Sequence, residues 1–279
     1  MVKEVIHIAD IHIPNDVDKT HFESKIKCLL SSVVNHIKES GLSKDEIRIV
    51  LAGDIFKQKV KANNESRKIF HMMLNIFNSL CKTIIIAGNH DMLENNTDRL
   101  DSISPTFEIK GVYKNVTYLD KKLGYKSGVM IDDNIAWVDF SMFDKYALPD
   151  LSEMGLKDND SVTKIIGLYH GEIKGAVTDV GYTFDSGIDT NRFSLCDCVM
   201  AGHIHKYQVI KKNGVPIVFA GSPFQQDLGE NVSGHGYVIW DLETMKHKHI
   251  EVETDYNSYK FEITSYDDVK NDTEFLLNG

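Results

Sequence analysis

The amino-acid sequence predicts an α/β fold in which two β-sheets pack face to face with helices on the outside. Early in the chain, short β-branched runs alternate with amphipathic helical stretches. Beyond residue 110 the pattern changes to shorter strands and tight turns. With 279 residues, of which 42% are hydrophobic, the chain can bury one core domain and carry a small appendage.

Three strands and two helices are predicted in alternation in the first part of the chain. A β-branched strand at residues 5–9 precedes a helix at 22–38, whose apolar side chains recur at helical spacing. A second strand at 47–52 precedes a helix at 66–80 with the same spacing. A third strand at 83–87 is almost wholly apolar, which predicts burial on both faces.

Eight further strands are predicted, at residues 116–119, 128–131, 135–140, 164–169, 198–201, 207–210, 217–220 and 236–240. Lys212-Asn213-Gly214 separates two of them and predicts a hairpin, because Asn-Gly favours a two-residue turn. We expect residues 1–242 to form the main domain and residues 243–279 to begin a small capping region. In that region Ser265 resembles the N-cap of a helix.

Composition limits the class of protein. No apolar run approaches the roughly 20 residues that span a bilayer, and the N-terminus runs directly into a strand, so we expect neither a membrane segment nor a signal peptide. The four cysteines form no CxxC pair, which favours reduced structural thiols in the cytoplasm. A formal net charge of −10 argues against a broad nucleic-acid-binding surface, although bound dications would add local positive charge.

Five polar motifs each follow a predicted strand: Asp10-Ile11-His12, Gly53-Asp54, Gly88-Asn89-His90-Asp91, His170-Gly171 and Gly202-His203-Ile204-His205. In open α/β sheets, ligands collect at the carboxyl ends of the strands, so these side chains are expected to converge. Carboxylates, imidazoles and one amide oxygen suit Mn, Fe or Zn, and suit Ca poorly. The glycines before Asp54, Asn89 and His203 fit sharp turns from strand to loop.

Each motif alone has an ordinary structural explanation. A Gly-Asp pair is commonly a turn, and an isolated histidine such as His170 is commonly a hydrogen-bonded core residue. Gly234-His235-Gly236 is interpreted in that way, as structural. Five motifs that each close a strand are poorly explained as unrelated turns, since all of them offer metal-binding side chains.

In this order the motifs resemble the signature of the calcineurin-like metallophosphoesterases. A closer resemblance is to the nuclease subunit of the double-strand-break repair complex, the bacterial SbcD type and its phage recombination-endonuclease relatives. The closer resemblance rests on Gly53-Asp54-Ile55-Phe56, Tyr169-His170-Gly171-Glu172, Ala201-Gly202-His203-Ile204-His205 and Ala220-Gly221-Ser222-Pro223. It covers about residues 1–240 and implies the four-layer fold of that superfamily.

The resemblance implies two metal ions, Mn²⁺ in the nuclease relatives, with Mg, Fe or Zn as alternatives. One ion would be held by Asp10, His12, Asp54 and His205. The other would be held by Asp54, Asn89, His170 and His203, so Asp54 would bridge the pair.

The resemblance also implies roles for residues that hold no metal. His90 corresponds to the catalytic histidine that protonates the leaving oxygen or contacts the phosphate, and we expect Asp91 to orient His90 and raise its pKa. Lys57, Lys59 and Ser222 are candidates for substrate contact, although a solvated loop is the better explanation for the lysines.

Three functions are compatible with these residues. The first is a DNA nuclease of recombination and repair, an exonuclease on duplex ends and an endonuclease on single strands, acting with an SMC-like coiled-coil ATPase. The second is a small-substrate phosphodiesterase or phosphatase. The third is a non-catalytic scaffold, which the intact ligand set argues against. The GDxVDRG motif of the serine/threonine phosphatases is absent, since Gly53-Asp54 is followed by Ile55-Phe56-Lys57.

Two further expectations concern assembly and location. In the family, the two helices that flank the Asn89-His90 motif form a homodimer interface as a four-helix bundle. Candidate side chains for that interface are Met72, Met73, Ile76, Phe77, Leu100 and Ile103, for which ordinary core packing is the alternative. The expected location is the cytoplasm, associated with DNA, or the host cytoplasm for a phage protein.

Overall fold

The structure, a computed structural model, describes residues 1–19, 21–109, 111–144, 160–212 and 214–259. Its strands in chain order are β1 (Glu4–Ile8), β2 (Ile47–Ala52), β3 (Lys82–Ile86), β4 (Val116–Tyr118), β5 (Gly128–Asp132), β6 (Ile135–Phe140), β7 (Lys164–His170), β8 (Cys198–Gly202), β9 (Gln208–Lys212), β10 (Val215–Phe219), β11 (Gly236–Asp241) and β12 (Lys246–Glu251). Its helices are α1 (Phe22–Ser40), α2 (Asn64–Leu80) and the single turn α3 (Leu119–Lys122).

The strands form two mixed six-stranded sheets, which confirms the predicted fold class. The first sheet has the order β12-β11-β1-β2-β3-β4, in which β1 to β4 run parallel and β11 pairs antiparallel with β1. The second has the order β5-β6-β7-β8-β10-β9, with a parallel centre and antiparallel edges. Parallel strands deliver their carboxyl ends to one edge, which is where the polar motifs begin.

Apolar side chains form three layers around the two sheets. The helices α1 and α2 cover the outer face of the first sheet with side chains such as Val33 and Phe70. Between the sheets lies a layer that includes Trp137 and Trp240. Among the described residues, loops and a 3₁₀ turn at Thr190–Phe193 cover the outer face of the second sheet.

The main domain extends further than predicted. β12 pairs with β11 along its whole length, so residues up to Glu251 belong to the first sheet, and the predicted boundary at residue 242 falls inside a hairpin. The hairpin predicted from Asn-Gly is present, since Lys212 pairs with Val215. The predicted N-cap at Ser265 lies outside the described residues.

The predicted four-helix interface is only partly matched. α2 precedes the Asn89-His90 motif, but in the described chain after it, up to β4, a 3₁₀ turn (Ser104–Phe107) replaces the second helix. Met73, Phe77 and Ile103 are buried in the core and are therefore not available to a partner. Leu100 is 55% exposed, and Met72 and Ile76 are partly buried.

Two composition-based expectations have structural counterparts. The described part of the chain holds no helix with the length and apolar content to cross a membrane. All four cysteines are unpaired. Burial raises the pKa of Cys81 and of Cys196 to about 12, so neither thiol is activated.

Candidate metal centre

The predicted ligands lie at the carboxyl ends of β1, β2, β3, β7 and β8, where His170 is the last residue of β7 and the others lie in the loops that follow the strands. Four of them, Asp10, His12, Asp54 and His203, have positive φ angles of 52°, 51°, 52° and 100°. Residues other than glycine rarely adopt this conformation, and it concentrates at functional sites, where the surrounding structure enforces it. The strained backbone at these four residues therefore coincides with the predicted metal centre.

The first predicted ligand set gathers around His12. Its Nε2 lies 3.0 Å from Nε2 of His205, 3.5 Å from Oδ2 of Asp54 and 4.0 Å from Oδ1 of Asp10. Asp10 is fully buried, and both of its carboxylate oxygens accept the backbone N–H of His203. Asp10 therefore ties the loop after β1 to the loop after β8.

The second set gathers around the amide oxygen of Asn89. This Oδ1 lies 3.2 Å from Nε2 of His170 and 3.0 Å from Nδ1 of His203. Nε2 of His170 also lies 3.3 Å from Oδ1 of Asp54. Asp54 thus turns one carboxylate oxygen toward each set, which is the arrangement expected of a bridging ligand.

The donor chemistry of the centre fits cations. The Nδ1–H of His170 donates to the carbonyl of Ala52 at 2.8 Å, so Nε2 of the neutral ring carries a lone pair. That lone pair faces the oxygens of Asn89 and Asp54, which are acceptors as well. A metal ion bound between these acceptors would remove the repulsion among their lone pairs. The mixture of imidazole, carboxylate and amide oxygen suits transition-metal dications.

Electrostatics of the protein alone point the same way. Burial opposes a charge on His170, yet Asp54 and Asp10 raise its pKa to about 9. Burial raises the pKa of Asp10 to about 6 and lowers the pKa of His203 to about 4. The centre is a buried negative site that holds either a proton or a cation, so metal binding releases protons.

The glycines beside the ligands are required mainly by close packing. A Cβ on Gly53 would lie 2.3 Å from Nδ1 of His170, on Gly88 2.1 Å from Oδ1 of Asp54, and on Gly202 2.2 Å from the Ala52 oxygen. Of the three, Gly53 alone has a positive φ, 87°. The predicted reason, a sharp turn, therefore holds for Gly53, whereas Gly88 and Gly202 provide space.

His90 lies in the centre, but the predicted contact with Asp91 is wrong. Nδ1 of His90 donates to the Lys57 carbonyl at 2.6 Å, and its ring stands edge-on to His12 with centroids 4.8 Å apart. The buried Asp91 carboxylate instead accepts the backbone N–H groups of Ile55 and Gly88, at 3.0 and 2.9 Å, and of Phe56. Its side chain points into the turn between the loops, so it positions the backbone.

The three candidates for substrate contact differ in their surroundings. The exposed Lys57 lies beside the centre and donates to the Gln226 carbonyl at 3.2 Å. Lys59 forms an ion pair with Glu94 at 3.2 Å. Ser222 is fully buried and its hydroxyl donates to the Phe224 carbonyl, so the predicted substrate contact by Ser222 is wrong.

A carboxylate that the sequence did not reveal completes the centre. Oε1 of Glu230 accepts from Nδ1 of His205 at 2.6 Å, and Oε2 accepts the Gln226 backbone N–H at 2.8 Å. Such a contact fixes the ring so that Nε2 faces the ligand set. Glu230 follows no strand and lies in a polar loop, so no pattern distinguished it from other surface acids.

Comparison with known proteins agrees with this geometry. The family model described as the calcineurin-like phosphoesterase superfamily domain matches residues 3–245. An uncharacterized protein, R555, of Acanthamoeba polyphaga mimivirus is 33% identical over 91% of the chain, and the D subunit of nuclease SbcCD of Staphylococcus epidermidis is 26% identical over 86%. The chain spans 18% and 66% of the lengths of these relatives, respectively.

Two solved structures are similar at a lower level. An archaeal phosphodiesterase has a TM-score of 0.40 at 12% identity, over 88% of this chain and 98% of the other. Protein PH1004 of Pyrococcus horikoshii has a TM-score of 0.47 at 14% identity, over 99% of this chain and 94% of the other. Neither likeness is close enough to bear on function.

Proposed function

Because the chain belongs to the calcineurin-like phosphoesterase superfamily, a family of metal-dependent hydrolases, we propose that it is a two-metal DNA nuclease. In this proposal the ions are held by the two ligand sets that share Asp54. The observation that carries it is the position of the Asp54 carboxylate, with one oxygen near His12 and the other near His170. A single-ion site has no need of a carboxylate between two separate imidazole groups.

The protein side chains have defined tasks in phosphodiester hydrolysis. When bound, two dications supply an acidified water as nucleophile and neutralise charge that develops on the phosphate. Asp10 and Glu230 hold the neighbouring loops and the His205 ring in place. The Nδ1–H of His90 donates to a carbonyl oxygen, so its Nε2 contacts the phosphate or, once this nitrogen is protonated as well, gives that proton to the departing oxygen.

The choice of DNA as substrate rests on the similarity to the D subunit of nuclease SbcCD. We propose action on duplex ends and single strands, with Mn²⁺ as the physiological metal and an SMC-like ATPase as partner. A homodimer is proposed in addition, with the exposed Leu100 and the partly buried Met72 and Ile76 as its remaining candidates.

A nuclease assay on end-labelled linear duplex DNA tests the proposal. We expect cleavage with Mn²⁺ that disappears in EDTA, and a loss of about 10²–10⁴-fold in rate for His90→Ala, the usual contribution of a general acid. The variant should bind two Mn²⁺ per chain, as the wild type does, because His90 is assigned to neither set. Absence of DNA cleavage by a metal-loaded wild type would overturn the nuclease assignment.

One observation favours a small-substrate phosphodiesterase as the alternative. A cavity of about 560 Å³ opens onto Asn89, His170 and His203, and the charged side chains in its described lining are Glu94, Asp144 and Glu172. Such a lining repels a polyanion but accommodates a compact ester. Rapid hydrolysis of bis(p-nitrophenyl) phosphate without DNA cleavage would establish this alternative.

A further inference from the structure

A second cavity reaches the centre from the other side of His12. Its volume is about 500 Å³, and besides His12 it is lined by Lys19, Lys25 and Lys57, by Gln58, Gln225 and Gln226, and by the segment 255–258. Asp16 and Asp255 also line it, so lysines exceed carboxylates by three to two. We refer to this space as the basic cavity.

The charge of the basic cavity contrasts with that of its neighbours. The described lining of the 560 Å³ cavity carries three carboxylates and no lysine or arginine. A third cavity, of about 320 Å³, adjoins His203 and His205 and is lined by Asp179, Asp227 and Glu230, with no lysine or arginine among the residues of its wall that the structure describes. A chain of phosphates that reaches the metal centre therefore meets attraction through the basic cavity and repulsion through the other two.

The surroundings of Lys25 favour the binding of an anion. The side chain is half-buried on the first turn of α1, and burial, together with the charge of Lys57, lowers the pKa of its ammonium group. Two ammonium groups that lie close enough for one to lower the pKa of the other are stabilised when a phosphate lies between them. The same arrangement offers nothing to an apolar or cationic ligand.

An aromatic stack forms part of the wall. The rings of His21 and Tyr256 lie parallel, with centroids 4.4 Å apart and planes inclined by 13°. Tyr256 is 38% exposed, and His21 is exposed as well, so the stack has room to extend by one more ring. Nucleobases add to aromatic platforms of this kind irrespective of sequence.

The wall is tied to the metal centre by hydrogen bonds. The backbone N–H of Ser258 donates to Oε1 of Gln225 at 2.7 Å, and Nε2 of Gln225 donates to the Glu230 carbonyl at 3.2 Å. Glu230 in turn accepts from the ring of His205. The segment that carries Tyr256 is thus connected to the predicted ligand His205 through Ser258, Gln225 and Glu230.

We propose that the basic cavity binds the single-stranded segment of a polynucleotide next to the phosphodiester that is cleaved. Lys19, Lys25 and Lys57 contact its phosphates, and one of its bases stacks on the His21–Tyr256 pair. The proposal rests on the proposed nuclease function and adds to it the direction from which the strand enters. It also assigns binding roles to four residues that are not part of the metal centre: Lys19, His21, Lys25 and Tyr256.

Fluorescence anisotropy with a labelled phosphorothioate oligothymidylate tests the phosphate contacts, because this probe keeps the charge of DNA and resists hydrolysis. In the Mn²⁺-loaded protein we expect Lys19→Gln/Lys25→Gln to weaken binding about tenfold. The slope of log affinity against log salt should shrink by about 1.4, or about 0.7 for each phosphate that is no longer neutralised. The control Lys27→Gln/Lys38→Gln removes the same charge from exposed positions of α1 and should change affinity less than twofold.

Tyr256 provides an independent test of stacking. Tyr256→Ala should weaken binding by about fivefold or more, whereas Tyr256→Phe keeps the ring and should bind within about twofold of the wild type. Thermal unfolding and metal content of each variant verify that the fold and the centre are intact. Equal weakening in both Tyr256 variants would refute the stacking role.

The possible outcomes separate this proposal from the proposed function. If the wild type binds the oligonucleotide and the two double variants weaken that binding equally, the role of the basic cavity is overturned and the proposed nuclease function is not. Failure of the wild type to bind the probe, with rapid hydrolysis of bis(p-nitrophenyl) phosphate, would overturn both. A reduced salt slope confined to the cavity variant supports the entry path.

Discussion

At the scale of single residues, Asp54 joins the two halves of the centre. Its backbone adopts a positive φ of 52°, and one carboxylate oxygen accepts the backbone N–H of His90 at 2.8 Å. There is space for the carboxylate because residue 88 is a glycine; a Cβ at that position would overlap Oδ1 of Asp54. The residue is therefore held by the turn after β2 and by the turn after β3 at once.

Glu230 offers a prediction at this scale. Replacing Glu230 by Gln removes the charged acceptor at Nδ1 of His205, so we expect Mn²⁺ affinity to fall about 10–100-fold, the usual effect of such contacts. Isothermal titration of the metal-free protein with Mn²⁺ measures this directly, without reference to activity.

Glu172→Gln serves as the matched control for Glu230. It removes a carboxylate close to the centre that accepts from the hydroxyl of Ser186 and not from a ligand ring. Its Mn²⁺ affinity should stay within about threefold of the wild type. If both variants bind Mn²⁺ as the wild type does, Glu230 has no role in holding the metal.

The sequence locates side chains in space where motifs adjoin strands and does not locate the contacts that loop residues make; the metal-binding role of the seven residues stays a prediction. The seven predicted ligands lie near one another in the structure because each stands at the carboxyl end of a strand or within four residues of it. The Asp91 contact was mispredicted, since adjacency in sequence does not fix the direction of a side chain inside a turn. The role of Glu230 depends on a loop that folds back over 25 residues, which leaves no local pattern.

At the scale of elements, the centre depends on how the loops after β2 and β3 are joined. Asp91 accepts three backbone N–H groups from these two loops and is completely buried. Burial and the nearby Asp54 charge raise the pKa of Asp91 to about 8, a sign that water is excluded here. The Asp91 carboxyl group thus takes the place of the hydrogen bonds between strands at the point where β2 and β3 have ended.

Asp91→Ala should therefore damage both stability and metal binding. Leaving three buried N–H groups without an acceptor costs roughly 1–3 kcal/mol each, so we expect a loss of about 3 kcal/mol or more in the free energy of unfolding. Asp54 and Asn89 lie on the two loops that separate, so Mn²⁺ affinity should fall together with stability. Urea denaturation and metal titration measure the two effects.

The control for Asp91 is Asp101→Ala. Asp101 is also buried and accepts two backbone N–H groups, those of Ile103 and Ser104, which belong to the start of a 3₁₀ turn and not to the loops that carry the ligands. We expect lower stability with unchanged Mn²⁺ affinity. An Asp91→Ala variant that is destabilised but still binds two Mn²⁺ with wild-type affinity would show that the loops are held without this carboxylate.

Element boundaries show why some assignments needed the structure. The central strands were predicted closely because buried parallel strands are apolar runs with sharp ends. β12 carries Lys246, His247, Lys248 and His249, a polar sequence suited to an exposed edge strand. Nothing in that sequence reveals its pairing with β11, so it was assigned to the appendage.

At the scale of the whole molecule, a buried histidine lies in the layer between the sheets. His7 is fully buried on β1, on the same face as Val5 and Ala9. Burial lowers its pKa to about 3, with the Ala201 carbonyl opposing and His247 adding to the shift. The packing of one sheet on the other thus requires a neutral ring at this position.

His7 makes stability depend on pH with a definite sign. The unfolded chain takes up a proton near pH 6.5, whereas the folded chain resists it down to about pH 3. Titration of His7 leaves the free energy of unfolding unchanged above pH 6.5. Between pH 6.5 and about pH 3 it lowers that free energy by about 1.4 kcal/mol for each pH unit that the pH falls. Urea titrations at about pH 6.5 and about pH 5 should therefore separate His7→Leu from the wild type.

The comparison between the two proteins isolates the effect of His7. Buried carboxyl groups such as Asp120 and the histidines of the centre titrate in both, so their contributions cancel in the difference. We expect the wild type to lose about 2 kcal/mol more than His7→Leu between these two pH values. Parallel losses in the two proteins would mean that His7 is not buried as a neutral ring.

The distribution of charge over the molecule reconciles its composition with the proposed substrate. A net charge of −10 argues against broad nucleic-acid binding, as the sequence indicated. Lysines nevertheless line one of three cavities at the centre, and carboxylates dominate the other two. Overall charge therefore predicts weak, salt-sensitive binding, while the local pattern directs a polyanion along one path.

Diffraction at the manganese absorption edge, from crystals grown with Mn²⁺, tests the central claim most directly. We expect two anomalous peaks roughly 3.5–4 Å apart, one beside His12 and His205 and the other beside Asn89, His170 and His203, with Asp54 between them. A single peak, or peaks that Asp54 does not touch, would contradict the shared-carboxylate centre on which the proposed hydrolysis depends.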